Sequence, residues 1–261
     1  MTGSAAAGIG KRLVFTVSTG CCGEDRLARL LSMAPGVASL HDPEPDSADA
    51  MRDAQHAPER AREFLIEQKF PAIARHREAI YIETSHLFCQ GFFEPALEMG
   101  LPFDLLLLSR PHRDAATSMF RFDTIPGRTP QGMLRYLSPD DPGVLPLLDW
   151  RQLNDYQLCY WYCLEIHRRQ QSFAARLSDA GAGRVATLTL AELLADDALD
   201  RVVELLDLPK PTPWGKLRAN FLGDHVAADQ RPPLRLPPLE DLDDWERQVI
   251  EQVAAADNQA A

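Results

Sequence analysis

The sequence predicts an α/β fold, a three-layer doubly wound arrangement around a central parallel sheet. Two observations predict it. Apolar runs of four to seven residues, several rich in β-branched residues, alternate along the chain with longer segments of helical pattern. Two of these runs also end in turns that lead straight into helices, as strands do at the carboxyl edge of such a sheet. A chain of 261 residues with 45% hydrophobic content is long enough for one large domain with an extensive core. That core is expected over about residues 12–223, with residues 240–257 as a C-terminal helix.

Arg12–Ser18 reads as the first strand because Leu13 to Val17 is apolar and β-branched. Asp25–Met33 reads as a helix because helix-forming residues follow Gly20 and Gly23. Val37–Leu40 and Ala79–Glu83 are short strand-like runs. Between them Pro58–Arg77 has a helical pattern with a break expected before Pro71. A helix over Phe92–Met99 precedes Asp104–Ser109, whose run of leucines is that of a buried strand. Helices over Arg113–Phe120, Arg151–Ser178, Ala191–Leu206 and Glu240–Ala255, with a strand at Arg184–Leu188, complete the alternation. Asp123–Asp149 is rich in proline and glycine and reads as a long connection, either a lid or a surface insertion. A second irregular stretch, Pro209–Pro238 within residues 209–239, contains Lys216, Arg218 and Asn220.

Composition limits the partners. A formal net charge of −11 argues against nucleic acid and against an anionic membrane, so an anionic ligand has to be met by local positive charge. No apolar run approaches the length of a membrane span, and Met1 to Gly8 lacks the regions of a signal peptide, so a cytoplasmic protein is expected. Five scattered cysteines fit a reduced compartment better than a disulfide framework. Cys159 and Cys163 lie one turn apart and, with Cys21 and Cys22, are the one zinc candidate; without compact ligand spacing, the expectation is no metal. Cys89 suggests no role. Tyr156, Tyr160, Trp161 and Tyr162 at helical spacing read as core before they read as a stacking surface.

The chemistry concentrates at two junctions. In the first, Val14-Phe15-Thr16-Val17-Ser18 runs into Thr19-Gly20-Cys21-Cys22-Gly23 and then a helix, a turn suited to close backbone approach to an anion. In the second, Leu105-Leu106-Leu107-Leu108-Ser109 delivers Arg110 to the sheet edge, and Ser118 follows eight residues on, about two turns into the next helix. A kinase-type loop would need lysine and then serine or threonine after the second glycine, where Glu24 and Asp25 stand. A cysteine phosphatase would need arginine at position 27 or 28, where Leu27 and Ala28 stand. Cys22 at a helix start is a candidate low-pKa thiol, although paired small residues in a tight turn are more often packing.

This layout resembles the nucleotide-dependent sulfotransferase family, whose donor is 3′-phosphoadenosine 5′-phosphosulfate (PAPS). Leu40-His41-Asp42-Pro43-Glu44-Pro45, Tyr81-Ile82-Glu83-Thr84-Ser85-His86 and Tyr160 to Glu165 add to the resemblance, which covers about Arg12 to Gly223. It implies a P-loop NTPase-like architecture and sulfuryl transfer to a small-molecule hydroxyl or amine. Thr19, Gly20, Cys21, Cys22, Gly23, Glu24 and Asp25 would then meet the 5′-phosphosulfate, and Arg110 and Ser118 the 3′-phosphate. The loop departs from the family pattern, which has a basic residue where Cys21 stands and hydroxyl residues where Glu24 and Asp25 stand. A carboxylate a few ångströms from a phosphate costs on the order of 1 to 4 kcal/mol in a wet cleft. Arg26, Arg29, His112 and Arg113 are the candidate compensating cations. Glu24 and Asp25 also have a simpler reading as acids favoured by the helix dipole. His86, Asp42, Glu44 and Glu83 are the candidate catalytic residues, with His41 a further option and Glu83 alternatively a residue that orients His86. The altered loop makes a catalytically inactive nucleotide- or partner-binding protein the alternative.

Overall fold

The computed structural model describes residues 9–221 and 237–260. In chain order its elements are β1 (Arg12–Val17), α1 (Glu24–Leu31), β2 (Val37–Leu40), α2 (Ala48–Ala54), α3 (Pro58–Phe64), a π turn (Leu65–Lys69) and α4 (Phe70–Arg75). There follow β3 (Ile80–Glu83), α5 (Phe93–Glu98), β4 (Asp104–Ser109), α6 (His112–Arg121), α7 (Pro130–Arg135), α8 (Asp155–Ala180) and β5 (Val185–Thr189). The chain ends with α9 (Leu190–Leu193), α10 (Ala198–Leu205), α11 (Pro213–Phe221) and α12 (Leu242–Ala260). All five strands join one parallel sheet in the order β2-β3-β1-β4-β5. Flanked by helices, this is the α/β three-layer fold that the alternating pattern predicts.

The described chain divides into two compact units, residues 9–110 with 170–221 and residues 111–169 with 237–260. The first contains the sheet. Central β1 is buried from Leu13 to Val17, whereas edge strands β2 and β5 are partly exposed. Because side chains alternate across a strand, Val14 packs with Leu27, Leu31, Ile82, Leu106, Leu108, Leu188 and Val202 on one face. On the other face Phe15 stacks on Phe88 at 4.2 Å and meets Phe103 edge-on at 5.8 Å. Phe93 there stacks on Phe173 at 3.9 Å. The chain leaves β1 toward β2 on one side and leaves β4 toward β5 on the other, so the connections diverge over the carboxyl ends of β1 and β4. Ligands of open α/β sheets bind in such crevices.

The expected break before Pro71 does not occur. The backbone widens instead through the π turn, where the Phe70 N–H bonds to the Leu65 carbonyl. Pro71 follows directly, at the start of the α4 segment of this continuous helix. The expected helix over Ala191–Leu206 is two helices. Thr189 caps the first in a reciprocal capping box with Glu192, and the second starts only at Ala198. The irregular stretch from Pro209 contains α11, and its part over residues 222–236 lies outside the described residues, as do the side chains of Asn220 and Leu239.

In the second unit the long connection Asp123–Asp149 is largely structured. It holds α7, capped by the Thr129 hydroxyl accepting from the Gly132 N–H. Buried Glu165 accepts from the Leu145 N–H at 3.0 Å and pairs with Arg168 and Arg169. The Trp161 indole donates to the Leu145 carbonyl at 3.0 Å. Tyr156, Tyr160, Trp161 and Tyr162 are all buried, so the aromatic stripe is core.

His112, at the start of α6, lies 5.2 Å from the His167 ring. Burial first and His167 second hold its pKa below the ordinary 6.5, while Glu246 acts the other way. An unfolded chain therefore binds this proton more readily than the folded one. The stability contribution is complete above about pH 6.5 and is lost progressively as pH falls from there through the lowered folded-state value. Urea unfolding at pH 7.5 and 5.5 should show a larger acid-side loss for the wild type than for His112→Gln. Equal losses would remove His112 as the cause.

Candidate functional site

The turn after β1 is shaped by three residues with left-handed backbone, Gly20 (φ 74°), Cys21 (φ 54°) and Gly23 (φ 90°). Gly23 is required by its backbone, and a Cβ there would also press on the Leu190 side chain, 2.9 Å from Cδ1. Cys21 holds a conformation that non-glycine residues rarely adopt, a strain typical of functional turns. The Thr19 hydroxyl bonds the Gly20 carbonyl at 2.9 Å and lies 3.1 Å from the Cys22 sulfur.

Glu24, the first residue of α1, folds back into this turn and is only 4% exposed. One carboxylate oxygen accepts from the Ser18 hydroxyl at 2.7 Å and the other from the Cys22 backbone N–H at 2.9 Å. Bonds to a charged acceptor contribute about 1.5 to 3 kcal/mol each, against a dehydration cost of several kcal/mol for a buried carboxylate. The positive end of the helix dipole adds roughly 0.3 to 2 kcal/mol in its favour. Asp25, its neighbour, does the simpler thing and pairs with Arg29 one turn along at 2.7 Å.

The other loop groups follow from this. Burial, then the Glu24 carboxylate, push the Cys22 thiol far up, so it stays protonated and unreactive. The low-pKa reading of Cys22 is thereby replaced by packing. Of the candidate compensating cations, Arg29 is on Asp25 and the Arg26 Nε donates to the Leu193 carbonyl at 3.1 Å. In the second unit Arg113 pairs with Glu246 at 2.7 Å and with Asp243, and His112 faces His167.

Arg110 leaves the end of β4 and crosses to the β1 turn, where its Nη1 donates to the Cys21 carbonyl at 2.8 Å. Its Nε is buried without an acceptor among the described residues. Ser118 is half-buried on α6 in the second unit, and its carbonyl accepts the Phe122 N–H.

The ends of β2 and β3 hold the candidate proton acceptors. Glu83 is buried with one oxygen 3.0 Å from Lys69 Nζ and the other 2.9 Å from the Tyr81 hydroxyl. Lys69 also donates to the Pro43 and Pro45 carbonyls at 3.5 and 3.4 Å, tying the loop that carries Asp42 and Glu44 to the end of β3. Asp42 has a left-handed backbone (φ 42°), and exposed Glu44 accepts from the Asp46 N–H. His86 is buried, and its carbonyl receives the Gln90 side-chain amide and the Cys89 thiol. His41 is exposed with Nδ1 3.1 Å from the Thr84 carbonyl. A carbonyl only accepts, so a hydrogen bond here requires the hydrogen on Nδ1 and leaves Nε2 as the acceptor in that tautomer.

Three groups at this edge carry contacts to which the sequence assigned no role. Gln170 donates its side-chain amide to both the Val17 and Leu108 carbonyls, at 2.9 and 3.1 Å, pinning the ends of β1 and β4. The Thr84 hydroxyl donates to the Glu24 carbonyl at 3.0 Å. Lys69 is the third. Lys69 between Leu65 and Ile73, and Gln170 between Ile166 and Phe173, are polar residues set in apolar helical stripes, a pattern that marks buried polar work.

Among the described residues no group of three or more His, Cys, Asp or Glu is arranged to hold a metal ion. None of the described helices is long and apolar enough to cross a membrane. No family model matches the chain, and a search of curated proteins gives no significant match.

Proposed function

We propose that this chain is a sulfotransferase-type protein that binds a 3′-phosphorylated adenosine nucleotide at the crevice over β1 and β4, with sulfuryl transfer from PAPS to a small-molecule hydroxyl or amine as its activity. The observation that carries this reading is Arg110, delivered by β4 to the β1 turn with a buried Nε–H lacking an acceptor among the described residues. An orphaned buried N–H on a fixed cation is what a phosphate oxygen satisfies. His41 stands at the neighbouring edge with Nδ1 3.1 Å from the Thr84 carbonyl, a contact that would leave Nε2 to accept a proton. In the folded form described, the turn itself does not fit a phosphosulfate, because Glu24 takes the Ser18 hydroxyl and the Cys22 N–H. The same contact favours a second reading, a catalytically inactive nucleotide- or partner-binding member of this class.

Calorimetric titration with 3′-phosphoadenosine 5′-phosphate, beside ATP with magnesium, tests the nucleotide site. The wild type is expected to bind the first ligand, and Arg110→Ala to lose about 2 to 5 kcal/mol of that affinity while remaining folded. Equal affinity in the variant sinks the assignment. Preference for magnesium-ATP would point to phosphoryl transfer instead. Turnover of PAPS with any acceptor separates the enzyme from the inactive reading.

A further inference from the structure

We propose that Glu24 is the resident anion of the β1 turn, a built-in carboxylate that holds the place of a ligand's phosphate or sulfate group and keeps the turn closed until it is displaced. Its two oxygens are met by the two kinds of donor an oxyanion uses at such a turn, a hydroxyl at the strand end (Ser18) and a backbone N–H (Cys22). The adjacent acid is an internal comparison. Asp25 shares the helix start and the sign of charge, yet turns outward to Arg29, so an acidic first turn alone does not produce the plug.

Charge at the site is arranged for an anion that Glu24 does not fully satisfy. Its two partners are neutral, and no ion pair reaches its carboxylate among the described residues. Arg110 stands at the same turn with one N–H on the Cys21 carbonyl and a buried Nε–H without an acceptor, an independent sign that the turn accommodates more negative charge than a single carboxylate supplies. Being tethered, Glu24 competes at a high effective concentration, so weak oxyanions are excluded and only a ligand with further contacts displaces it. The regulation deepens the reading given above but does not depend on which nucleotide binds.

Inorganic sulfate is the probe, followed by the backbone amide resonances of Cys22 and Gly23. The wild type should show no saturable shift, and Glu24→Ala should bind sulfate about tenfold tighter or more. Asp25→Asn, which removes the same charge one residue away, should behave as the wild type. Equal gains in both variants would reduce the effect to general charge and overturn the proposal, as would an unchanged sulfate affinity in folded Glu24→Ala. Independently of any variant, the Cys22 amide of the wild type should exchange its hydrogen slowly, and exchange at the rate of an unprotected amide also overturns it. Gained sulfate affinity without affinity for 3′-phosphoadenosine 5′-phosphate would leave the plug standing and refute the nucleotide reading alone.

Discussion

Lys69→Met is expected to destabilise the protein by about 3 to 5 kcal/mol, the usual result of removing one partner from a buried ion pair. The Lys69 and Glu83 side chains are each 4% exposed and 3.0 Å apart. Without the ammonium, the Glu83 carboxylate would keep only the Tyr81 hydroxyl as donor among the described residues. Burial, then Glu83, hold the Tyr81 phenol protonated far above its ordinary range, so it donates but cannot neutralise. The Pro43 and Pro45 carbonyls would lose their shared donor as well. Lys69→Met with Glu83→Gln removes both charges at similar volume and should recover most of the loss. Guanidinium unfolding of the three proteins measures this, and a single-variant loss under about 1 kcal/mol would show that the pair is not coupled as described.

Gly183→Ala should be at least as damaging, at more than about 4 kcal/mol. A Cβ at Gly183 would sit 1.7 Å from the Phe103 carbonyl oxygen and 2.6 Å from its carbon, a backbone collision that no rotamer relieves. The surroundings cannot give way, because Phe103 bonds Ala182, Leu105 bonds Arg184, and the Arg184 N–H bonds the Asp104 carboxylate at 2.8 Å. These contacts start β4 and β5 in register. Gly181 is the control: its φ is 59° but nothing lies within 4 Å of an added Cβ. Gly181→Ala should therefore cost only about 1 kcal/mol of backbone strain. Thermal unfolding should separate the two by roughly 10 °C, given about 2 to 4 °C per kcal/mol at this size. Similar melting temperatures would refute the collision argument.

The sheet was legible because parallel strands buried on both faces leave nearly continuous apolar runs. Val37–Leu40 and Asp104–Ser109 form over the limits the pattern sets, and the other three strands agree within a residue or two. Helices were harder wherever a local signal competed with the period. Pro71 argued for a break that the π turn absorbs, and α7 begins at a Thr129-Pro130 cap inside a stretch whose proline and glycine suggested loop. At the candidate site the turn and Arg110 could be found from strand ends alone. The inward fold of Glu24 could not, since Glu24 and Asp25 present the same pattern of adjacent acids at a helix start.

The strand order also bears on how the chain is made. β1 is made before both of its neighbours in the sheet, β3 and β4, which begin only at Ile80 and Asp104. At about 5 to 20 residues per second, the apolar Leu13 to Val17 segment waits roughly 3 to 13 seconds for its first partner. During that interval neither strand that flanks it in the folded sheet has been made, so yield should depend on translation speed and holdase chaperones more than the finished fold's stability suggests.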